Sequence, residues 1–188
     1  PHLAVILIGD DAGSVSYVRG KEKACNEIGI TNTTIIRPVE ITQVELLDII
    51  EELNNNDEID GILVQLPLPK HINQTYIINS IRPDKDVDGF HPVNVASLYL
   101  KQPGIIPCTP KGIIEVLDSV NIPIEGKRAV VIGRSNIVGL PVSKLMLDRN
   151  ATITIAHSKT KDLASVTKEA DILIAAVGKP LFVKRDMV

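Results

Sequence analysis

The chain has no Trp, two Cys and an aromatic content of only 3% across 188 residues. A core drawn from such a composition must be aliphatic. Two cysteines are too few for a disulfide scaffold, and Cys25 and Cys108 fall in no metal-binding or redox spacing. They read as small buried thiols of a reducing compartment, and no metal is expected. No apolar run reaches the roughly 18 residues that a membrane-spanning helix needs, and no signal peptide is visible. A basic surplus is missing as well. Lys and Arg number 20 against 23 Asp and Glu, a formal net charge of −3, which argues against a nucleic-acid partner. Fixed-period repeats and low-complexity stretches are absent. What is present is an apolar fraction of 44% with 23% charged residues, enough to support a core and to exclude intrinsic disorder. The chain opens on Pro1-His2 without an initiator Met and closes on Val188 soon after an apolar run, so both edges read as cut.

Short apolar runs alternate with helical patterns. Leu3 to Ile8, Thr33 to Val39 and Gly61 to Leu66 read as strands, the last apolar almost throughout, as a strand covered on both faces should be. Ser14 to Ile28 reads as a helix that Gly29 stops, after a turn over Gly9–Gly13 in which Ser14 is the expected cap. Thr42-Gln43-Val44-Glu45 forms a capping box, and Val44, Leu47, Ile50 and Leu53 behind it are expected to share a helical face. A second group follows. Its elements are a helix from Thr109 to Leu117, a strand from Arg128 to Ile132, a helix from Pro141 to Leu147 and a strand from Ala151 to Ala156. A short helix from Leu163 to Lys168 and a strand from Asp171 to Val177 complete it. This alternation predicts an α/β fold with parallel strands joined right-handedly. The composition change near Thr109 divides it into residues 1–109 and 110–188.

The loop Gly133-Arg134-Ser135-Asn136-Ile137-Val138-Gly139-Leu140-Pro141 lies between a strand and a helix. A Rossmann-type domain puts its pyrophosphate there, on the free N–H groups and positive dipole end of the helix. Ser135 stands where G-x-G-x-x-G has its second glycine, and a plain strand-to-helix connection is the alternative. The next strand runs into His157-Ser158-Lys159-Thr160 and carries no acid to hold a ribose 2′-hydroxyl. Arg134, Ser158 and Lys159 suit a 2′-phosphate instead, which predicts NADP over NAD. Val177 and Gly178 close a run of small residues that would let a nicotinamide approach the backbone. They fit a simple turn equally well.

In the first group Tyr17 and Lys21 are four apart and share a helix face. Gln65 is polar at the carboxyl end of an aliphatic strand, where ligands of open α/β sheets bind, and a buried amide there needs a partner such as Lys21. Asp86-Val87-Asp88-Gly89 adds carboxylates in the following loop. A solvated helix face remains the alternative for Tyr17 and Lys21 taken alone.

Five segments carry a family resemblance. They are Tyr17-Val18-Arg19-Gly20-Lys21-Glu22-Lys23-Ala24, Asp60 through Pro69, Lys85-Asp86-Val87-Asp88-Gly89-Phe90, Pro107-Cys108-Thr109-Pro110, and Gly133-Arg134-Ser135 through Pro141. Together and in order, the chain resembles the bifunctional methylenetetrahydrofolate dehydrogenase/methenyltetrahydrofolate cyclohydrolase family. The resemblance implies tetrahydrofolate substrates, NADP, and two α/β domains with a cleft between them, of which the second is incomplete here. It also implies a homodimer, a cytoplasmic location and a place in one-carbon metabolism that serves purine biosynthesis. By the same match Lys21 is the active-site lysine, Tyr17 stacks on the folate, Gln65 supports the lysine and Asp88 hydrogen-bonds the pterin. Val64 and Leu66 flank the substrate, and Gly133, Arg134, Ser135, Ile137, Val138, Ser158, Val177 and Gly178 meet the cofactor. Against the family pattern the chain lacks an N-terminal helix region, the last strands of the cofactor domain and a Pro-Gly-Gly-rich segment. Two other readings stand beside this one: a shikimate-dehydrogenase-like NADP oxidoreductase, and a non-catalytic cofactor-sensing module. Oxidising a methylene carbon makes a cation, so Lys21 is expected either to be neutral at that moment or to have its charge offset by Gln65 and a nearby carboxylate.

Overall fold

The computed structural model describes residues 1–188. They form two compact units, Pro1–Ala96 and Ser97–Val188, a division that falls ahead of the composition change near Thr109. The first unit contains β1 (His2–Ile8), α1 (Ala12–Glu27), β2 (Thr31–Arg37), α2 (Gln43–Asn55), β3 (Gly61–Val64) and α3 (Gln74–Ser80), and α4 (Pro92–Leu100) runs across the division. Its sheet is parallel, in the order β2-β1-β3, with Ile6 paired to Ile35 on one side and to Val64 on the other.

Strand alternation divides this unit's core between two faces. Ala4, Ile6 and Ile8 pack with Leu46, Ile50 and Leu53 of α2 and Ile77 of α3. Val5 and Leu7 pack with Val18 of α1 and Leu63. The capping box forms as expected: Glu45 N donates to Thr42 Oγ1 at 3.2 Å, and Thr42 N donates to Glu45 Oε2 at 2.8 Å. The buried stripe behind it differs from the expected one. Leu46, not Val44, joins Ile50 and Leu53, and Val44 is 65% exposed. A strict three-residue step drifts about 60° around the helix each time, whereas steps of four and three stay on one side. At α1 the N-cap is Asp11 rather than Ser14. Asp11 Oδ2 accepts from Ser14 N at 2.9 Å and from Ser14 Oγ at 3.0 Å. The helix α3 was not anticipated; Asn73 caps it by accepting from Tyr76 N at 3.1 Å.

The second unit contains α5 (Cys108–Ser119), β4 (Arg128–Ile132), α6 (Gly139–Asp148), β5 (Thr152–Ala156), α7 (Leu163–Lys168), β6 (Ile172–Ala175) and a 3-10 turn over Arg185–Met187. Its sheet is again parallel, in the order β5-β4-β6. Ala129, Val131 and Ile174 of the sheet pack with Ile114 of α5 and with Val142 and Met146 of α6. Cys25 is buried as expected, but Cys108 is exposed. Cys108 opens the first turn of α5 directly after Pro107, at the end of the helix rather than on its packed side.

Candidate active site

In the first unit the stripe of α1 that faces the sheet contains Ser14, Val18 and Cys25. Lys21 falls on that stripe at helical spacing and is partly buried. The strand β3 is shorter than its apolar run, because Pro67 has no N–H to continue a ladder. Gln65 lies just past the last strand residue, though its N–H still donates to Ile6 O at 2.9 Å. Its side-chain Nε2 donates to Leu66 O at 2.8 Å. That leaves Oε1 to accept from Lys21 Nζ at 3.0 Å. The amide is therefore oriented by its own neighbour and aims its oxygen at the amine. Val64 is buried and Leu66 partly buried on either side of it. Tyr17 precedes Lys21 by one turn and is 70% exposed.

The segment Lys85–Gly89 brings Asp88 to the same group. Asp88 is partly buried. Burial pushes its carboxyl up to about 6, against the pull of the Lys21 charge and with a further push from Asp86. Asp86 is of another kind. It is 2% exposed, and its Oδ2 accepts from His91 N and from Asn94 Nδ2, both at 2.8 Å. Lys85 is buried too, and its Nζ donates to Leu53 O at 3.0 Å and Asn56 O at 2.7 Å, at the carboxyl end of α2, where a cation is favourably placed. Lys85 O accepts from Ile62 N of β3 at 2.7 Å. Gly61 gives this loop room, since a Cβ on it would overlap Val87 Cγ1 and force that side chain to shift. Lys21 and Gln65 are thus in contact, and Asp88 lies near enough to feel the Lys21 charge. Sequence reasoning missed Lys85 and Gly61 as the mounts of the loop that carries Asp88. Their signal was a glycine heading an otherwise β-branched and aliphatic strand.

In the second unit the carboxyl ends of three strands meet at one edge. Gly133 N donates to Ala156 O, and Ala176 N donates to Ile132 O, each at 2.8 Å. Gly133 has φ +121°, and a Cβ there would overlap Ala176 O. A Cβ on Gly139 would overlap Gly133 O. Only glycine permits these approaches. The N-cap of α6, Val138, has no capping side chain of its own. Ser135 Oγ accepts instead from Val138 N at 3.2 Å and Gly139 N at 3.4 Å. The serine in place of a second glycine therefore gathers the helix amides onto one hydroxyl, whose proton remains available to a ligand. Arg134 is exposed and in no salt bridge, while Ile137 and Val138 are partly buried. Ser158 is exposed at the end of β5, in a turn closed by His157 N donating to Thr160 Oγ1 and Thr160 N donating to His157 O, each at 2.8 Å. Val177 and Gly178 follow β6, Gly178 with φ +58°. A cradle that any Cβ would fill, helix amides behind a hydroxyl, and an exposed arginine outside any salt bridge fit a phosphorylated dinucleotide.

One parallel unit with a lysine–amide–carboxylate group and another with a glycine cradle is the plan of a two-domain, dinucleotide-binding protein. The chain belongs to the tetrahydrofolate dehydrogenase/cyclohydrolase family. Residues 1–88 match that family's catalytic domain, and residues 107–188 match its NAD(P)-binding domain. The bifunctional protein FolD of Listeria innocua is 56% identical over 188 residues, which are 100% of this chain and 66% of that protein. The crystal structure of the bifunctional FolD dehydrogenase/cyclohydrolase of Campylobacter jejuni superposes with a TM-score of 0.95 at 49% identity, covering 100% of this chain and 67% of that one. The Trypanosoma brucei enzyme, solved with NADP cofactor and inhibitor, gives a TM-score of 0.92 at 38% identity, covering 96% and 62%. The chain thus spans 66% of the length of the curated relatives it matches. No helix is long and apolar enough to cross a membrane.

Proposed function

We propose that the protein oxidises 5,10-methylenetetrahydrofolate to the 5,10-methenyl cation with NADP+ and then hydrolyses that cation to 10-formyltetrahydrofolate. The observation that carries this reading is the hydrogen bond from Lys21 Nζ to Gln65 Oε1 beside the partly buried Asp88. Family membership and the FolD relatives support it. When bound, NADP+ supplies the hydride acceptor. Gly133, Ser135, Ile137 and Val138 hold its pyrophosphate, Arg134 and Ser158 its 2′-phosphate, and Val177 and Gly178 admit the nicotinamide.

Positive charge grows on the folate carbon during oxidation. An uncompensated ammonium about 4 Å from it would cost on the order of 4 kcal/mol at an effective dielectric of about 20, or about three decades in rate. An ionised Asp88 beside Lys21 offsets that charge, and Gln65 Oε1 keeps the amine from swinging toward the cation. In the hydrolytic step Lys21 first gives up its ammonium proton to solvent. The neutral amine then takes a proton from the attacking water, and the one net proton of the hydrolysis leaves to solvent as the ring opens. Tyr17 offers its exposed ring to the flat substrate, Val64 and Leu66 flank it, and Asp88 hydrogen-bonds the pterin. The division of labour follows residues 1–109 for folate and 110–188 for NADP. With the same reading go a homodimer, a cytoplasmic location and supply of one-carbon units to purine biosynthesis. The test is to mix protein, NADP+ and 5,10-methylenetetrahydrofolate and follow the methenyl chromophore. It should rise and then decay to the formyl product. No rise with the full-length protein would overturn the assignment.

A further inference from the structure

Two carboxylates sit two residues apart in the loop after β3, and the chemistry described above uses one of them. We propose that Asp86 is a positioning residue of the Lys21–Gln65–Asp88 group: its carboxylate anchors the loop that carries Asp88, and its negative charge opposes a charge on Asp88. This rests on the folate reading of that group.

The anchoring is direct. Asp86 Oδ2 takes two donors at 2.8 Å, the backbone N–H of His91 and the Nδ2 of Asn94 at the start of α4. The backbone of Asp86 pairs in parallel with Ile62 of β3, and its O accepts from Gly89 N at 3.3 Å, closing the turn around Asp88. Lys85, next to Asp86 on the same side of the turn, fastens that foot to the end of α2 as well, while the Asp86 carboxylate ties down the far foot through His91 and Asn94. Asp88 therefore stands on a short turn held at both feet, and β3, which holds one foot, also leads to Gln65. The donors on Asp86 are neutral, so its negative charge is not cancelled by a cation bonded to it. The charged groups that face Asp88 are Lys21 from α1 and Asp86 from its own loop, with opposite effects on its carboxyl. The two carboxylates thus have separate tasks. Asp86, almost wholly buried, acts through Asp88, while Asp88 meets the ligand.

Because a single oxygen accepts both donors, Asp86→Asn can keep both hydrogen bonds through its amide oxygen while removing the charge. Asp86→Ala removes both. The experiment uses the full-length protein and reads two signals: the 13C carboxyl titration of Asp88, assigned against Asp88→Asn, and the acid limb of the pH profile for oxidation of 5,10-methylenetetrahydrofolate. In Asp86→Asn both should move to lower pH together, by roughly half a unit to one unit, with the folate KM changed less than twofold. Asp86→Ala should raise the folate KM about tenfold or more as the turn loosens. An Asp88 titration that stays in place in Asp86→Asn overturns the proposal, and so does a titration that moves while the acid limb does not. If the full-length protein oxidises no folate at all, the functional reading fails, and the titration alone decides whether Asp86 and Asp88 are coupled.

Discussion

The two units share one topology and use it in opposite ways. In each, the first strand lies in the middle, the second pairs on one side and the third on the other. In each, the crevice where the strand order reverses is the natural ligand position. The first unit fills that crevice with side chains: Lys21 from the helix after β1, Gln65 from the end of β3, and Asp88 from the loop beyond. The second unit fills it with backbone. Gly133 and Gly139 give up their side chains so that Ala176 O and Gly133 O can lie against them. Side chains can be charged, oriented and titrated, and so can take part in chemistry. Backbone amides cannot be titrated at working pH, and so suit a group that must be held unchanged.

The sharpest way to break this comparison is at Lys21. Lys21→Met should lower the hydrolytic step by about a thousandfold while some hydride transfer survives and NADP+ affinity is unchanged. Separate assays of the two steps check this, and undiminished hydrolysis would remove Lys21 from the reaction. Next comes Asp88. Its folded-state carboxyl titrates near 6, above its ordinary value, so its contribution to stability is whole at acid pH and is lost as pH rises through about 6. Above that the folded state carries a penalty of up to about 3 kcal/mol. Asp88→Asn should therefore stabilise the protein at pH 7.5 by an amount up to that figure, have little effect at pH 4, and weaken folate binding. Thermal unfolding at the two pH values, with a folate titration, tests both halves. In the second unit Arg134→Ala should weaken NADP+ by about 10- to 100-fold, the worth of a charge-assisted contact. NAD+ affinity should barely change, as paired binding titrations would reveal, and equal losses would refute the 2′-phosphate assignment. The smallest effect is expected at the cap of α2, where Thr42→Ala should cost about 1 kcal/mol in chemical denaturation and leave both ligands bound as before.

The sequence disclosed most where the cause is local. Thr42 and Glu45 name a helix start by themselves. Gln65 stands out because an amide at the end of an aliphatic strand needs a partner, and Lys21 provides it. The glycine loop declares itself by its place between a strand and a helix. What stayed hidden depends on packing. Val44 and Leu46 are equally apolar, and only the rotation of α2 against the sheet decides that Leu46 goes inside. Asp11 and Ser14 both favour caps, and the chain's approach to α1 selects Asp11. The short α3 follows a proline-rich stretch and has too few turns for a periodic signal. Asp86 and Asp88 are identical in type, and no local pattern says which is the anchor. Their difference lies in His91 and Asn94, which reach one and not the other.

Gly61 has no side chain to react with anything, yet the methyl of Val87 occupies the space a larger residue would need. Adding one carbon there would force that methyl to shift, and Val87 is the residue just before Asp88. A selection for lost turnover would therefore recover substitutions at this silent position alongside those of the reacting groups.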